Sequence, residues 1–279
     1  MKIQPIDAGT FKLDGGAMFG VVPKSMWNRL NPADENNLCT WALRCLLVEE
    51  GETRLLIDAG MGDKQDPKFF SHYQPQGAGL ISSLKEAGCP PESVSDVLLT
   101  HLHFDHCGGV IRKEGETFVP VFPNARIWVD RRQWDWALNP NAREKASFLK
   151  ENLLPMQESG LLHFLPENGE SPWPWMRLFH AFGHTEAMVL PLISSPAGKL
   201  IYCADLFPSV HHIPMPYVMG YDTRPLETLS DKQRFFSQAL KEEWLLFFEH
   251  DPVNECARLE LTEKGVRAGA GLKLDEAGF

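Results

Sequence analysis

Thr100-His101-Leu102-His103-Phe104-Asp105-His106 follows the apolar run Val97-Leu98-Leu99 directly. Three imidazoles and a carboxylate packed this closely are hard to explain as core. Each is a ligand for first-row metals, and together they can feed more than one ion. The pattern reads as a strand end flowing into a turn, with His101 and His103 converging on one ion while Asp105 and His106, a step further round, face another. Gly108-Gly109 permits the tight exit such a turn needs. These glycines argue against the bland alternative, a solvated histidine-rich loop.

Working outward, three more residues stand where apolar stretches end. His184 follows Phe179–Phe182 in a Gly-His-Thr turn, Asp205 follows Leu200–Ala204, and His250 follows Leu245–Glu249. A single histidine or aspartate after a strand is an ordinary cap or turn former. In company with the His cluster they become candidate ligands, since strand ends on one sheet edge bring distant residues together. Asp58, after Leu55-Leu56-Ile57, is either a turn residue or a carboxylate that orients a ligand histidine.

His101-x-His103-x-Asp105-His106, followed by His184, Asp205 and His250, resembles the metallo-β-lactamase superfamily in order and spacing. Leu55-Leu56-Ile57-Asp58-Ala59-Gly60 is similar to that family's early strand with its aspartate, and the resemblance runs from about Leu55 to His250. It implies an α/β fold, a four-layer αβ/βα sandwich of two mixed β-sheets flanked by helices. It also implies two divalent ions: His101, His103 and His184 on the first, Asp105, His106 and His250 on the second, Asp205 bridging. Zinc suits such histidine and carboxylate ligands best, with manganese, cobalt or iron as alternatives. A water shared by two such ions has its pKa lowered to about 7 or less, which gives a hydroxide nucleophile at neutral pH. Asp105 would take the proton released when the tetrahedral intermediate collapses. The third motif reads Gly183-His184-Thr185-Glu186-Ala187-Met188, without the second histidine common in the family. The bridging position is Asp205 rather than the cysteine of β-lactamases, which argues against antibiotic hydrolysis.

The rest of the chain sets bounds. It has 279 residues, 43% hydrophobic and 23% charged, with a formal charge of −10. So acidic a chain repels phosphate backbones and has no basic run to offset this, so no nucleic-acid partner is expected. No apolar run approaches a membrane span, and the first residues lack the apolar core of a secretory signal, so a soluble, cytoplasmic protein is expected. Six cysteines lie far apart with no Cys-x-x-Cys pair, which favours buried thiols over disulfides. Strands are expected at Thr40–Val48, Arg54–Ile57, Val97–Thr100, Arg126–Val129, Met176–Ala181, Ala187–Ile193, Leu200–Ala204 and Leu245–Glu249. Helices are expected at Gly79–Gly88, Arg131–Leu138 and Ala142–Leu153, with a last one opening at a Ser230-Asp231-Lys232-Gln233 capping box. No linker divides the chain, so residues 1–279 read as one domain. Within it, residues 12–37 form an N-terminal loop and the Pro-rich residues 206–229 a lid-like loop.

The substrate can be narrowed by elimination. RNA-processing relatives carry a large insertion between the bridging aspartate and the last histidine, which here are only 45 positions apart. Glyoxalase II relatives add a cationic C-terminal region, and 29 residues follow His250. Quorum-quenching lactonases and methyl-parathion-type phosphotriesterases remain, and Gly15–Gly20 with the stretch after Asp205 resembles their long loop and lid. An apolar mouth of Met18, Phe19, Trp27 and Phe207 would favour an acyl chain or aryl leaving group. The same residues could instead join a homodimer interface. Many such lactonases place a tyrosine three residues after the bridging aspartate, where this chain has Pro208. Tyr217, Tyr221, His211 or His212 could substitute. Hydrolysis of a small lactone or ester is the first reading. The alternatives are phosphotriester hydrolysis and a non-catalytic metal-binding sensor. His72, His163 and His180 carry no expected function.

Overall fold

The computed structural model describes residues 1–279. The chain forms two compact units, one of residues 1–9 and 43–172, the other of residues 10–42 and 173–279.

The first sheet has the spatial order β1 (Lys2–Asp14), β2 (Leu38–Glu50), β3 (Thr53–Ile57), β4 (Asp96–Leu98), β7 (Arg126–Val129) and β8 (Leu162–Phe164). β5 (Ile111–Glu114) and β6 (Thr117–Pro120) pair separately. β2 and β3 run antiparallel through the turn at Gly51, whereas β3, β4, β7 and β8 are parallel. Parallel strands bury both faces and therefore read as continuous apolar runs, as Val97–Leu99 does. One buried cluster joins the sheet residues Leu47, Leu56, Val97 and Ile127 to Leu84, Trp134 and Met156. The last three come from the helices α4 (Leu80–Glu86), α6 (Arg131–Leu138) and α7 (Lys150–Glu158). A fourth helix, α3, spans Pro67–Tyr73, and α5 spans Phe104–Cys107 inside the histidine motif.

The second sheet runs in the order β14 (Gly265–Ala268), β13 (Cys256–Thr262), β12 (Leu245–Phe247), β11 (Gly198–Tyr202), β10 (Met188–Ser195), β9 (Met176–Ala181). It too is mixed, with β11 parallel to β12 and the other pairs antiparallel. α8 (Pro225–Glu242) lays Phe235 edge-on to Phe179, Phe207 and Trp244.

Several expectations need correction. Residues 12–37 are not one loop: Lys12–Asp14 ends β1, and two short helices follow, α1 (Gly15–Phe19) and α2 (Lys24–Trp27). Asp14 caps α1 by accepting from the amide of Ala17 at 2.8 Å. The Pro-rich loop is shorter than 206–229, because α8 begins at Pro225. Proline at the first helical position has its φ preset and lacks an amide that would be orphaned there. Ser230 therefore lies inside the helix, with its hydroxyl on the Leu226 carbonyl, and caps nothing. The helix expected at Ala142–Leu153 is instead a short 3-10 turn at Lys145–Ser147 followed by α7, which continues through Pro155.

Candidate metal centre

In the first unit, the register Ile57↔Leu98 sets the ends of β3 and β4 side by side, so Asp58 and Thr100 emerge together. Asp58 takes a left-handed backbone, φ 56°, and is fully buried. Its carboxylate accepts from the Thr100 amide at 2.8 Å, the Thr100 hydroxyl at 2.7 Å and His106 Nδ1 at 3.0 Å. The Thr100 hydroxyl has one proton and gives it to Asp58. It therefore accepts from His101 Nδ1, 3.1 Å away. His103 donates through Nε2 to Glu144 at 2.9 Å, and Glu144 is itself held by Trp136 Nε1 at 2.7 Å. These bonds fix tautomers: His101 and His106 keep Nε2 as a lone pair, and His103 keeps Nδ1. His101 Nε2 and His103 Nδ1 then face each other at 3.1 Å. Two facing lone pairs repel unless a cation or a shared proton lies between them. Asp105, 8% accessible, has a carboxylate oxygen 3.9 Å from His106 Nε2.

The turn is as tight as the double glycine suggests. A Cβ at Gly108 would collide with the carbonyl of Met61, and one at Gly109 with that of Ala59. The Gly109 amide donates to Gly60 at 3.0 Å, and the Ala59 amide to His106 at 2.8 Å. The Lys64 ammonium also donates to the Gly108 carbonyl.

The second unit shows the same logic. Register Tyr202↔Phe247 between parallel β11 and β12 places Asp205 and His250 each three residues past the pairing, hence abreast. Asp205 follows Ala204, another residue with left-handed backbone, φ 42°. Backbone held in so sparsely populated a region concentrates at functional sites. His184 donates from Nδ1 to Asp222 at 2.9 Å and turns Nε2 to one oxygen of Asp205 at 3.0 Å. His250 donates from Nδ1 to the Ala42 carbonyl at 2.8 Å and turns Nε2 to the other oxygen at 3.2 Å. Burial pushes the His184 pKa down, but the charges and hydrogen bonds of Asp205 and Asp222 outweigh it and raise the value to about 10. A buried pocket that holds positive charge this firmly between carboxylates suits a metal ion in the proton's place. The donor chemistry of both units thus fits divalent ions with histidine and carboxylate ligands.

Within the first unit the structure brings together His101, His103, Asp105, His106 and Asp58. Within the second it brings together His184, Asp205 and His250. Three partners carry no sequence signal. Glu144 and Asp222 are isolated carboxylates in loops, and Tyr73 sits on α3, beside a histidine in a stretch without a clear pattern. The Tyr73 ring lies 4.8 Å from that of Phe104, between His103 and Asp105, and 4.9 Å from that of Phe69.

The expected apolar mouth is corrected. Met18, Phe19, Trp27 and Phe207 are 1, 0, 1 and 0% accessible and belong to the core of the second unit. Phe19 stacks on Trp27 and on His212, because the short helices fold these rings inward instead of presenting them. His212 is also internal, paired with the Ser209 hydroxyl at 2.8 Å and the Met18 carbonyl at 2.9 Å. Chiefly through burial its pKa falls to about 3, so it is a neutral strut. Tyr217 stands edge-on to Phe19, and Tyr221 is 39% accessible.

Residues 44–250 match the family model described as the metallo-beta-lactamase superfamily. An N-acyl homoserine lactonase from Bacillus sp is 27% identical over 245 residues, 83% of this chain and 88% of the relative. A probable metal-dependent hydrolase from Staphylococcus aureus superposes with TM-score 0.88 at 27% identity, over 97% of this chain and 96% of the other. AidC, a dizinc quorum-quenching lactonase solved with its product, has the same fold, with TM-score 0.80 at 23% identity over 98% and 95% of the two chains. With two mixed, helix-flanked sheets, histidine tautomers set for ligation and a family match over most of its length, the chain belongs to the metallo-β-lactamase superfamily.

Proposed function

We propose that the protein is a dinuclear metal-dependent hydrolase that opens a small lactone or cleaves a small ester. His101, His103 and His184 would hold one ion, Asp105, His106 and His250 the other, with Asp205 between them, the two units acting as one domain. The observation that carries this reading is the hydrogen bonding of all five histidines: each spends one ring nitrogen on an oxygen within its own unit, which leaves the other ring nitrogen for an ion. Bound divalent ions supply Lewis acidity and acidify water, and zinc is the first choice for these ligands.

The chain's own residues do the rest. Asp58, Glu144 and Asp222 orient imidazoles and raise their basicity. Asp105, on the turn beside Phe104, is placed to take up a proton as the acyl–oxygen bond breaks. The aromatic wall of Phe69, Tyr73 and Phe104 excludes water from one side and suits an acyl chain. Lactone opening is preferred because the relative named above is an N-acyl homoserine lactonase that spans most of this chain. A cytoplasmic location belongs to the same proposal: all six cysteines are buried free thiols, as suits a reducing compartment.

The test is to strip the protein with a chelator, reload it with zinc, count metal per chain, and assay N-acyl homoserine lactones, aryl esters and aryl phosphotriesters. Two equivalents of zinc and the highest kcat/KM on a lactone or alkyl ester are expected. Fewer than one equivalent, or turnover confined to phosphotriesters, overturns the reading.

A further inference from the structure

We propose that the cavity against the Gly109 side of the histidine turn is a second binding site, for a small molecule with an alkyl chain of about six carbons and an uncharged polar head. The cavity lies within the first unit and encloses about 170 Å³. Leu43, Met61, Leu80, Ile111 and Val121, all buried, form its floor. Asp63, Pro75, Ala78 and Arg112 are exposed and form its rim. None of the lining residues belongs to the wall of Phe69, Tyr73 and Phe104. The inference therefore concerns a separate place and does not depend on the hydrolase reading.

Native interiors keep few voids larger than a water molecule, and the backbone explains why this one stays open. Gly62 and Gly109 line it. A Cβ on Gly109 would strike the carbonyl of Ala59, and one on Gly62 the carbonyl of Gly108. Neither position can carry a side chain that would fill the space. Its size and lining suit a ligand: an engineered apolar cavity of about 150 Å³ stays dry and takes up benzene or xenon. The rim sets the head group. Asp63 offers an acceptor and Arg112 a donor, the latter also paired with Glu114 at 2.5 Å. A carboxylate head would meet the charges of Asp63 and Glu114, and an ammonium head that of Arg112. A hydroxyl or amide, which both donates and accepts, suits the pair. The occupant would rest on backbone that closes the histidine turn, where the Ala59 amide donates to the His106 carbonyl at 2.8 Å and the Gly109 amide to Gly60 at 3.0 Å.

A ligand that binds only the folded chain raises its melting temperature as its concentration passes Kd. With zinc-loaded protein, 1-hexanol should raise the melting temperature along a saturating curve, by about 3 °C at a tenfold excess over Kd. Hexanoate and hexylamine at the same concentrations should shift it by under about 1 °C, because their heads are charged. Val121→Phe fills the floor and Ala78→Trp closes the mouth, and the second, at an exposed position, keeps the test open if the first fails to fold. Each folded variant should lose the response to 1-hexanol, and crystals of the parent soaked in 1-hexanol should show the chain against Leu80 and Val121. The proposal is overturned by no rise with 1-hexanol, by a rise that persists in Ala78→Trp, by an equal rise with hexanoate, or by density only beside Phe69, Tyr73 and Phe104.

Discussion

Asp58 is the residue on which most of the first unit's ligand geometry converges, since one carboxylate accepts from the Thr100 amide, the Thr100 hydroxyl and His106. Asp58→Asn keeps the size but replaces one acceptor oxygen with a donor, so His106 loses the partner that fixes its tautomer. Zinc affinity should fall by about 10- to 100-fold, as when other partners of ligand histidines are removed. Competition against a chromophoric chelator measures this, and parental affinity would refute it. His212 gives a pH prediction. Its folded pKa lies near 3, below the ordinary value of 6.5. The unfolded chain therefore takes up the extra proton as pH falls below 6.5, and the stabilising contribution of the neutral ring is lost progressively towards pH 3. Between pH 7 and pH 5 the parent should lose about 2 kcal/mol more unfolding free energy than His212→Gln. Urea titrations at the two pH values decide it, with equal losses as the contrary result.

At the scale of elements, α8 holds the His184 turn. Asp231 accepts from the amides of Phe182 and Gly183 at 2.6 and 3.0 Å, and Arg224 donates to the Phe182 carbonyl at 2.7 Å. Thr228 donates at 2.7 Å to Asp222, the partner of His184. The helix approaches so closely that a Cβ on Gly183 would collide with the backbone and hydroxyl of Thr228. Gly183→Ala should cost about 1–3 kcal/mol of stability, as overpacking does, and should weaken zinc binding with it. Calorimetry and metal analysis of the variant check both, and a parental melting temperature would contradict the close packing. None of this support is local in sequence, and so the Ser230 capping box misleads. The pattern is present, but Pro225 starts the helix earlier, and Asp231 faces the histidine turn.

Over the whole molecule, what could be read from the sequence is what is local. The His101–His106 cluster declares its chemistry within a few residues, and the apolar parallel strands beside it are continuous runs of buried side chains. β1 escapes notice because Gly9, with φ 108°, breaks its alternation. β13 and β14 escape because Arg258, Glu260 and Thr262 are exposed and polar and interrupt the apolar run. Glu144, Asp222 and Tyr73 are supplied by distant loops and a short helix, where only folding gives them partners. The exposed look of Met18, Phe19 and Trp27 reflects flanking glycines and prolines, whereas in the fold Phe19 stacks between Trp27 and His212, and His212 bonds the Met18 carbonyl. The central claim is that preset histidine tautomers hold a pair of ions. Its most direct test is anomalous diffraction at the zinc edge from crystals of the zinc-loaded chain. Two peaks are expected, one at His101 Nε2, His103 Nδ1 and His184 Nε2, the other at Asp105, His106 Nε2 and His250 Nε2, with Asp205 reaching both. A single peak, or zinc bound away from these nitrogens, would contradict it.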